Sequence, residues 1–325
     1  MQVSPPLEKS YGEEIAFPDG GLTLGFFVPF DTFVSLSPKM LRSHLDFATR
    51  LDGSDFAVLW ARDRLMCETG GRERAEMMDP WVYLGALAAS TRQIAIGSAS
   101  IIVSLRHPIA VAKAAASVDR MSGGRFLLGI ASGVRQEEYP AFGIDPSSKA
   151  ERFRDAVELI RRLWGASYPT IESRFGAISG LDLQPKPLGI RIPVITTGWS
   201  GGQSLEWIAT NSDGWFQYLM DREKLDQLVI DWRGTCIRLA GRDKPLLQGA
   251  FLDLRAQPGE SATDCEQGFR GGRHALTDWL SQAQQAGVNH VAFNLKRSTR
   301  PYSEVVDELT EHVAPLFKRG NALSL

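Results

Sequence analysis

Much is missing from this chain of 325 residues, and each absence excludes something. Cysteine is scarce: Cys67, Cys236 and Cys265 are odd in number and far apart. They form neither a disulfide framework nor a CxxC metal pair, which fits a reducing cytoplasm. No stretch of about 18 apolar residues exists, so no membrane span is expected, and the polar start lacks the apolar core of a signal peptide. A surplus of one charge is missing too. The formal net charge is -2, with no like-charge block, so nothing points to nucleic acid. The five histidines are His44, His107, His274, His290 and His312. None pairs with another at helical spacing, so no metal site is expected. His44 reads as solvent-facing on a helix. The dinucleotide fingerprint GxGxxG is absent after the first apolar run, where Phe30-Asp-Thr-Phe33 stands instead, and so is the P-loop pattern. That weighs against a doubly wound open sheet.

What is present is a repeated strand–helix rhythm. Ile94 to Val103 is a continuously apolar run, followed by Pro108 to Met121 at helical spacing and by Arg125 to Ile130. A strand is apolar throughout only when both its faces are covered, as in parallel sheets. Gly123-Gly124 stops the helix between them. The same unit recurs along the chain. Strands are expected at Leu22–Phe30, Phe56–Trp60, Ile94–Val103, Arg125–Ile130, Ile192–Thr196, Gly214–Leu219, Leu246–Leu254 and Val288–Leu295. Helices are expected from Pro38, Pro80, Pro108, Ser147, Gln203, Arg222, the stretch ending near Ala286, and Pro301 to Lys318. Eight strands each followed by a helix predict an α/β protein of the (β/α)8 TIM barrel type, with insertions. Residues 1–21 read as a surface arm, and residues 22–320 as one barrel domain. Ala61–Met78 and Arg255–Gly272 read as long polar loops, and Tyr168–Gly189 as an excursion that holds a hairpin.

Barrel enzymes place their chemistry at the carboxyl ends of the strands. The rim candidates are Pro29–Phe33, Arg62–Arg64, Ser104–His107, Ala131–Tyr139, Gly198–Ser204 and the loop after Leu254. The Gly-rich turn Thr197-Gly-Trp-Ser-Gly-Gly-Gln-Ser204 joins a strand to a helix. Backbone N–H groups at a helix start make an anion site, and phosphate is its natural tenant. Ser200 and Ser204 add hydroxyls, and an arginine such as Arg152 would complete the clamp. The plain alternative is a helix cap without a ligand. The same residues also spell G-x-S-x-G, the nucleophile elbow of a serine hydrolase. Ser200 would then need Asp264 or Asp278 with His290 or His312. His107 reads equally as a catalytic group and as a helix-entry residue. Tyr139 either lines a pocket or packs.

Arg106-His-Pro108, Asp119-Arg-Met-Ser-Gly-Gly-Arg-Phe126, Gly129-Ile-Ala-Ser-Gly133, Phe142-Gly143 and Glu151-Arg-Phe153 resemble the bacterial luciferase-like flavin monooxygenase family. The resemblance covers roughly Leu22 to Lys318. It implies a luciferase-like (β/α)8 barrel that binds reduced FMN, or a deazaflavin in one branch. It implies the flavin ring beside Ala99-Ser100, where family members often have a non-proline cis peptide. It carries phosphate contacts onto Ser132, in place of a family arginine, and onto Arg152. It carries the phosphate and ring-edge loop onto Gly198, Ser200, Gly201 and Ser204. Two positions depart from luciferase: Arg64 stands where that protein has a general-base histidine, and Ala131 where it has a reactive cysteine. An arginine stays protonated and cannot be that base. Light emission from an aldehyde is therefore not expected.

The expected protein is thus a cytoplasmic flavin-dependent oxidoreductase, a monooxygenase using reduced FMN and O2 on a small organic substrate. A partner reductase would supply the reduced flavin. Arg64, His107 and Tyr139 are the candidates for substrate contact or proton handling. A homodimer is expected from the family habit. The alternatives are a deazaflavin-dependent hydride transferase on the same fold, a non-catalytic flavin binder, and the Ser200 hydrolase. The two long polar loops are expected to close over the site.

Overall fold

The structure is a computed structural model and describes residues 9–30, 37–66, 77–189, 191–218 and 222–317. In chain order the elements are α1 (Tyr11–Ala16), β1 (Thr23–Val28), α2 (Pro38–Asp52), β2 (Val58–Ala61), α3 (Pro80–Ser90), β3 (Ala95–Ser98), β4 (Ile101–Ile102), α4 (Pro108–Met121) and β5 (Phe126–Ala131). Then follow α5 (Lys149–Gly165), β6 (Ile171–Ser173), β7 (Gly176–Ile178), β8 (Val194–Thr197), α6 (Leu205–Asn211), β9 (Gly214–Tyr218) and α7 (Arg222–Ala240). The chain continues with β10 (Leu246–Leu254), β11 (Gly268–Gly271), α8 (Arg273–Ala286), β12 (His290–Asn294) and α9 (Tyr302–His312).

Eight parallel strands close into a ring, in the order β1, β2, β3, β5, β8, β9, β10, β12 and back to β1. Alternate side chains point in and out. Phe27, Trp60, Leu127, Ile195, Phe216, Leu247 and Ala292 fill the inside, while the other set packs under the helices. This two-sided burial is why the strands read as unbroken apolar runs. Trp60 fits the interior because residue 97 has no side chain: a Cβ there would lie 2.4 Å from the indole ring.

Four details differ from the sequence reading. The third strand is interrupted: its peptide between Ala99 and Ser100 is cis, as the family resemblance implies, and β4 resumes beyond it. The segment 255–272 is not simply a loop. Its end forms β11, which takes the edge of β10 that β9 leaves at Gly249. Arg255 holds Glu260 at 3.0 Å, and Gly272 N–H donates to the Glu260 carbonyl at 2.9 Å, so this segment is fastened to the rim.

The part of the N-terminal arm that is described does not lie on the surface. Ser10 and Glu13 form a reciprocal capping box for α1, and Ile15, Ala16 and Phe17 are buried in the amino end of the barrel. The reason is hydrophobic: this short run covers the open apolar end of the ring. Glu13 grips Arg191 through both oxygens, at 3.0 and 2.7 Å, and Arg191 reaches Asp213 at 3.0 Å. Finally, His44 is buried, not solvated. It meets Tyr302 of α9 edge-on at 6.1 Å, because this side of α2 turns toward α9. The hairpin expected within the excursion is present as β6 and β7.

Candidate active site at the carboxyl rim

The barrel interior opens at its carboxyl end into a small cavity lined by Phe27, Ala99, Thr197, Phe216, Gln217, Tyr218 and Gly249. Its floor is aromatic. The rings of Phe27 and Phe216 lie 5.7 Å apart at 26°, with Trp60 edge-on to Phe216 at 5.1 Å. Such walls favour a flat, largely apolar ring over a charged group. Polar groups interrupt them at Thr197, Gln217 and Tyr218. Thr197 Oγ1 is buried and has no hydrogen-bond partner among the described residues, and the same holds for Gln217 Nε2.

Beside this cavity the loop after β5, the start of α5 and the turn after β8 meet. Gly201 lies so close that a Cβ there would stand 3.2 Å from Ser132 Oγ and 3.3 Å from Ala150 Cα. Its φ of +83° also favours glycine. Gln203 Nε2 donates to the carbonyl of Ala150 at 3.0 Å, which ties the β8 turn to the first turn of α5. Arg152 stands in the same helical turn. Its Nε donates to the Ser104 carbonyl at 3.1 Å, and its guanidinium lies 5.1 Å over the Phe175 ring. Among the described residues it pairs with no carboxylate, whereas its neighbour Arg174 takes Glu151 and Asp155. Burial, and then the nearby Arg174 charge, press the Arg152 pKa below the usual guanidinium range. A half-buried cation beside a helix start, short of a counter-charge, favours an anion.

Ala99, Ser100, Ser132, Arg152 and Gly201 are therefore all at this rim, with Ser132, Gly201 and the Arg152 turn in one place. The serines of the β8 turn are arranged differently from the expectation. Ser200 Oγ donates to the Thr197 carbonyl at 2.6 Å, and Ser204 Oγ accepts the Trp207 N–H at 3.2 Å as the cap of α6. Both hydroxyls serve the turn itself. Gly198 is engaged as well: its N–H donates to the Phe216 carbonyl at 2.8 Å and its carbonyl accepts Trp215 Nε1 at 2.9 Å. The Ser200–His290 pairing of a nucleophile elbow is not formed. The Ser200 hydroxyl lies on a carbonyl, and His290 is bonded to Thr23 and Trp60 inside the barrel.

Two of the expected proton-handling residues are placed in structural parts. His107 caps α4: its Nδ1 accepts the Ile109 N–H at 3.3 Å, and its Nε2 faces the Phe175 carbonyl at 3.1 Å. The Pro108 that follows starts the helix, so the ring is held at the helix entry. Tyr139 is fully buried, and its hydroxyl donates to the Ser132 carbonyl. Burial raises the pKa of that phenol. It braces the loop that carries Ser132. Arg64 follows β2 and is half-buried, but the expected segments 31–33 and 67–76 around this part of the rim lie outside the described residues.

Sequence reasoning missed the residue beside it. The carboxylate of Asp63 is wholly buried; it takes Arg106 at 3.1 and 3.0 Å and accepts the Ile102 N–H at 3.1 Å. Arg106 continues to Asp79 at 3.2 Å. Burial alone would lower the Arg106 pKa; its bonds to Asp63 and Asp79 win and raise it. A DR pair after a strand gives no local sign of this, because its partner is 43 residues away.

A ring of eight parallel strands, with helices outside it and an aromatic mouth at its carboxyl end, defines a (β/α)8 barrel. The chain belongs to the luciferase-like monooxygenase family, whose pattern matches residues 22–302. It is 29% identical over 221 residues to an uncharacterized protein of Mycobacterium tuberculosis, covering 67% of this chain and 76% of that one. It is 32% identical over 152 residues to the F420-dependent glucose-6-phosphate dehydrogenase of Beutenbergia cavernae, 45% of this chain and 44% of that protein. Its fold matches the oxygenating constituent of 3,6-diketocamphane monooxygenase from Pseudomonas putida, solved with FMN. The TM-score is 0.72 at 12% identity, covering 91% of this chain and 98% of the other. The family thus includes FMN monooxygenases and F420-dependent dehydrogenases. No helix among the described residues is long and apolar enough to cross a membrane.

Proposed function

We propose that this protein is a flavin-dependent oxidoreductase that uses reduced FMN and O2 to oxidise a small organic substrate. The observation that carries the reading is Arg152, a half-buried guanidinium without a carboxylate, set in the same helical turn that packs on Ser132 and Gly201. A phosphate monoester supplies the missing negative charge. The chain's groups fit the cofactor in two further ways: the mouth is largely aromatic, and it holds a hydroxyl with no partner among the described residues. The flavin supplies the redox chemistry when bound. Arg152 and the first turn of α5 would hold its phosphate. Phe27, Phe216 and Ala99 would seat the ring and keep water from it. Tyr139 positions the Ser132 loop through its carbonyl. In this reading a partner reductase supplies the reduced flavin, and the protein works in the cytoplasm as a homodimer.

Anaerobic titration with reduced FMN, followed by admission of oxygen, tests the proposal. Saturable binding and oxygen uptake that depends on an added substrate are expected. Absence of saturable binding would overturn it. A second reading, hydride transfer with a deazaflavin, is favoured by the similarity to an F420-dependent dehydrogenase. It predicts tight binding of coenzyme F420 and turnover without oxygen uptake.

A further inference from the structure

Thr197 ends β8, and strand alternation places it on the same inward face as Ile195 of the interior cluster. Its side-chain oxygen lies buried at the mouth and unpartnered. The hydroxyls around it are all engaged. Thr196 bonds Ser212, Ser200 donates to the Thr197 carbonyl, and Ser204 caps a helix. Buried hydroxyls are nearly always satisfied, so one left open beside these aromatic walls marks a missing partner. Of the other side chains lining the cavity, Phe27, Ala99 and Phe216 offer it no acceptor, and neither Gln217 nor Tyr218 bonds it.

We infer that the Thr197 hydroxyl hydrogen-bonds an in-plane heteroatom of the tricyclic ring bound at the mouth, and so orients that ring about its own plane. The inference rests on the proposed flavin or deazaflavin reading. A hydroxyl serves here because it both donates and accepts, and so meets a ring carbonyl or a ring N–H. Aromatic walls fix the plane of a ring but not its rotation within that plane. A single directional bond at the edge supplies the second restraint. Thr197 is thus a positioning residue and takes no proton itself.

The test uses the full chain with oxidised FMN and with coenzyme F420, read by fluorescence titration and by the absorption band of the bound ring. Thr197→Val, close in shape, is expected to weaken binding by about tenfold, the loss of one net hydrogen bond, and to shift the bound band. Thr197→Ser should stay within about twofold and keep the wild-type band. Thr197→Ala repeats the loss if the valine variant does not fold. Unchanged affinity and spectrum in both Val and Ala variants overturns the inference while leaving the cofactor reading intact. Equal losses in the Ser variant also overturn it, since packing would then be the cause. Wild-type protein that binds neither F420 nor, in the anaerobic titration, reduced FMN overturns the cofactor reading, and this inference with it.

Discussion

Trp60 donates its indole N–H to Nε2 of His290 across the barrel interior, at 2.9 Å. An indole nitrogen only donates, so Nε2 accepts and the proton of the neutral ring sits on Nδ1. That N–H meets Thr23 Oγ1 at 2.8 Å, and the threonine in turn donates to the Ala16 carbonyl at 2.6 Å. The chain of bonds therefore runs from the centre of the barrel to the α1 plug, and it requires an uncharged imidazole. Burial pushes the His290 pKa down to about 3. The unfolded chain takes up a proton near pH 6.5, and the folded chain does not. Stability is then fully present above about pH 6.5 and is lost as the pH falls toward 3. Urea unfolding at pH 7 and pH 5 should show His290→Gln losing about 2 kcal/mol less than wild type over that interval. Equal pH dependence in the two proteins would place the ring's protonation elsewhere.

Removing one member of a buried ion pair strands the other. Asp63 is wholly buried and Arg106 largely so, at 0% and 17% side-chain exposure. Asp63→Ala leaves Arg106 with the more exposed Asp79 and frees the Ile102 N–H. A loss of about 3 kcal/mol in unfolding free energy is expected. Flavin affinity should fall with it, because the same carboxylate anchors β4 directly beyond Ala99-Ser100. A loss below about 1 kcal/mol would show the pair to be solvent-screened.

Gln248 offers the opposite case. It faces the helix layer from the middle of β10, opposite Gln217, is 1% exposed, and neither of its amide atoms has a partner among the described residues. Orphaned polar atoms cost about 1–3 kcal/mol. Gln248→Met keeps the length of the side chain and removes both atoms, so it should raise the unfolding free energy by about 1 kcal/mol. Thermal and urea denaturation measure this directly. A drop in stability would mean that the amide is satisfied in solution.

The barrel was legible because its strands are covered on both faces. Leu246 to Leu254 and Val288 to Leu295 are apolar enough to read without any partner in view. The α1 plug was not legible, since Ile15-Ala-Phe17 is a three-residue run inside a polar segment and only the open ring gives it a place. Nor was β11: Gly268-Phe-Arg-Gly271 is too short and too glycine-rich to mark a strand. At the site, the glycines announced the turn after β8. They did not reveal that Ser200, at φ +37°, points its hydroxyl back onto Thr197. Ser132 and Gly201 are 69 residues apart, and their approach is a tertiary fact that no local pattern carries.

That approach gives the last expectation. Gly201→Ala would place a methyl group 3.2 Å from Ser132 Oγ and 3.3 Å from Ala150 Cα, on a backbone at φ +83° that disfavours any side chain. The turn must then move away from α5, opening the place assigned to the phosphate. Arg152→Ala acts on the same place by removing the guanidinium, with its bond to the Ser104 carbonyl and its cover over Phe175, and adds no group to the turn. Arg152→Ala should weaken FMN binding by roughly tenfold to a hundredfold, the range of a charge-assisted hydrogen bond to an anion. Its residual binding should lose most of the salt dependence seen in the wild type. Gly201→Ala should weaken binding while retaining that salt dependence, because the guanidinium remains. Titrations at low and high ionic strength separate the two. Binding by Arg152→Ala that matches wild type at both salt concentrations would remove the guanidinium from the anion site, and the phosphate with it.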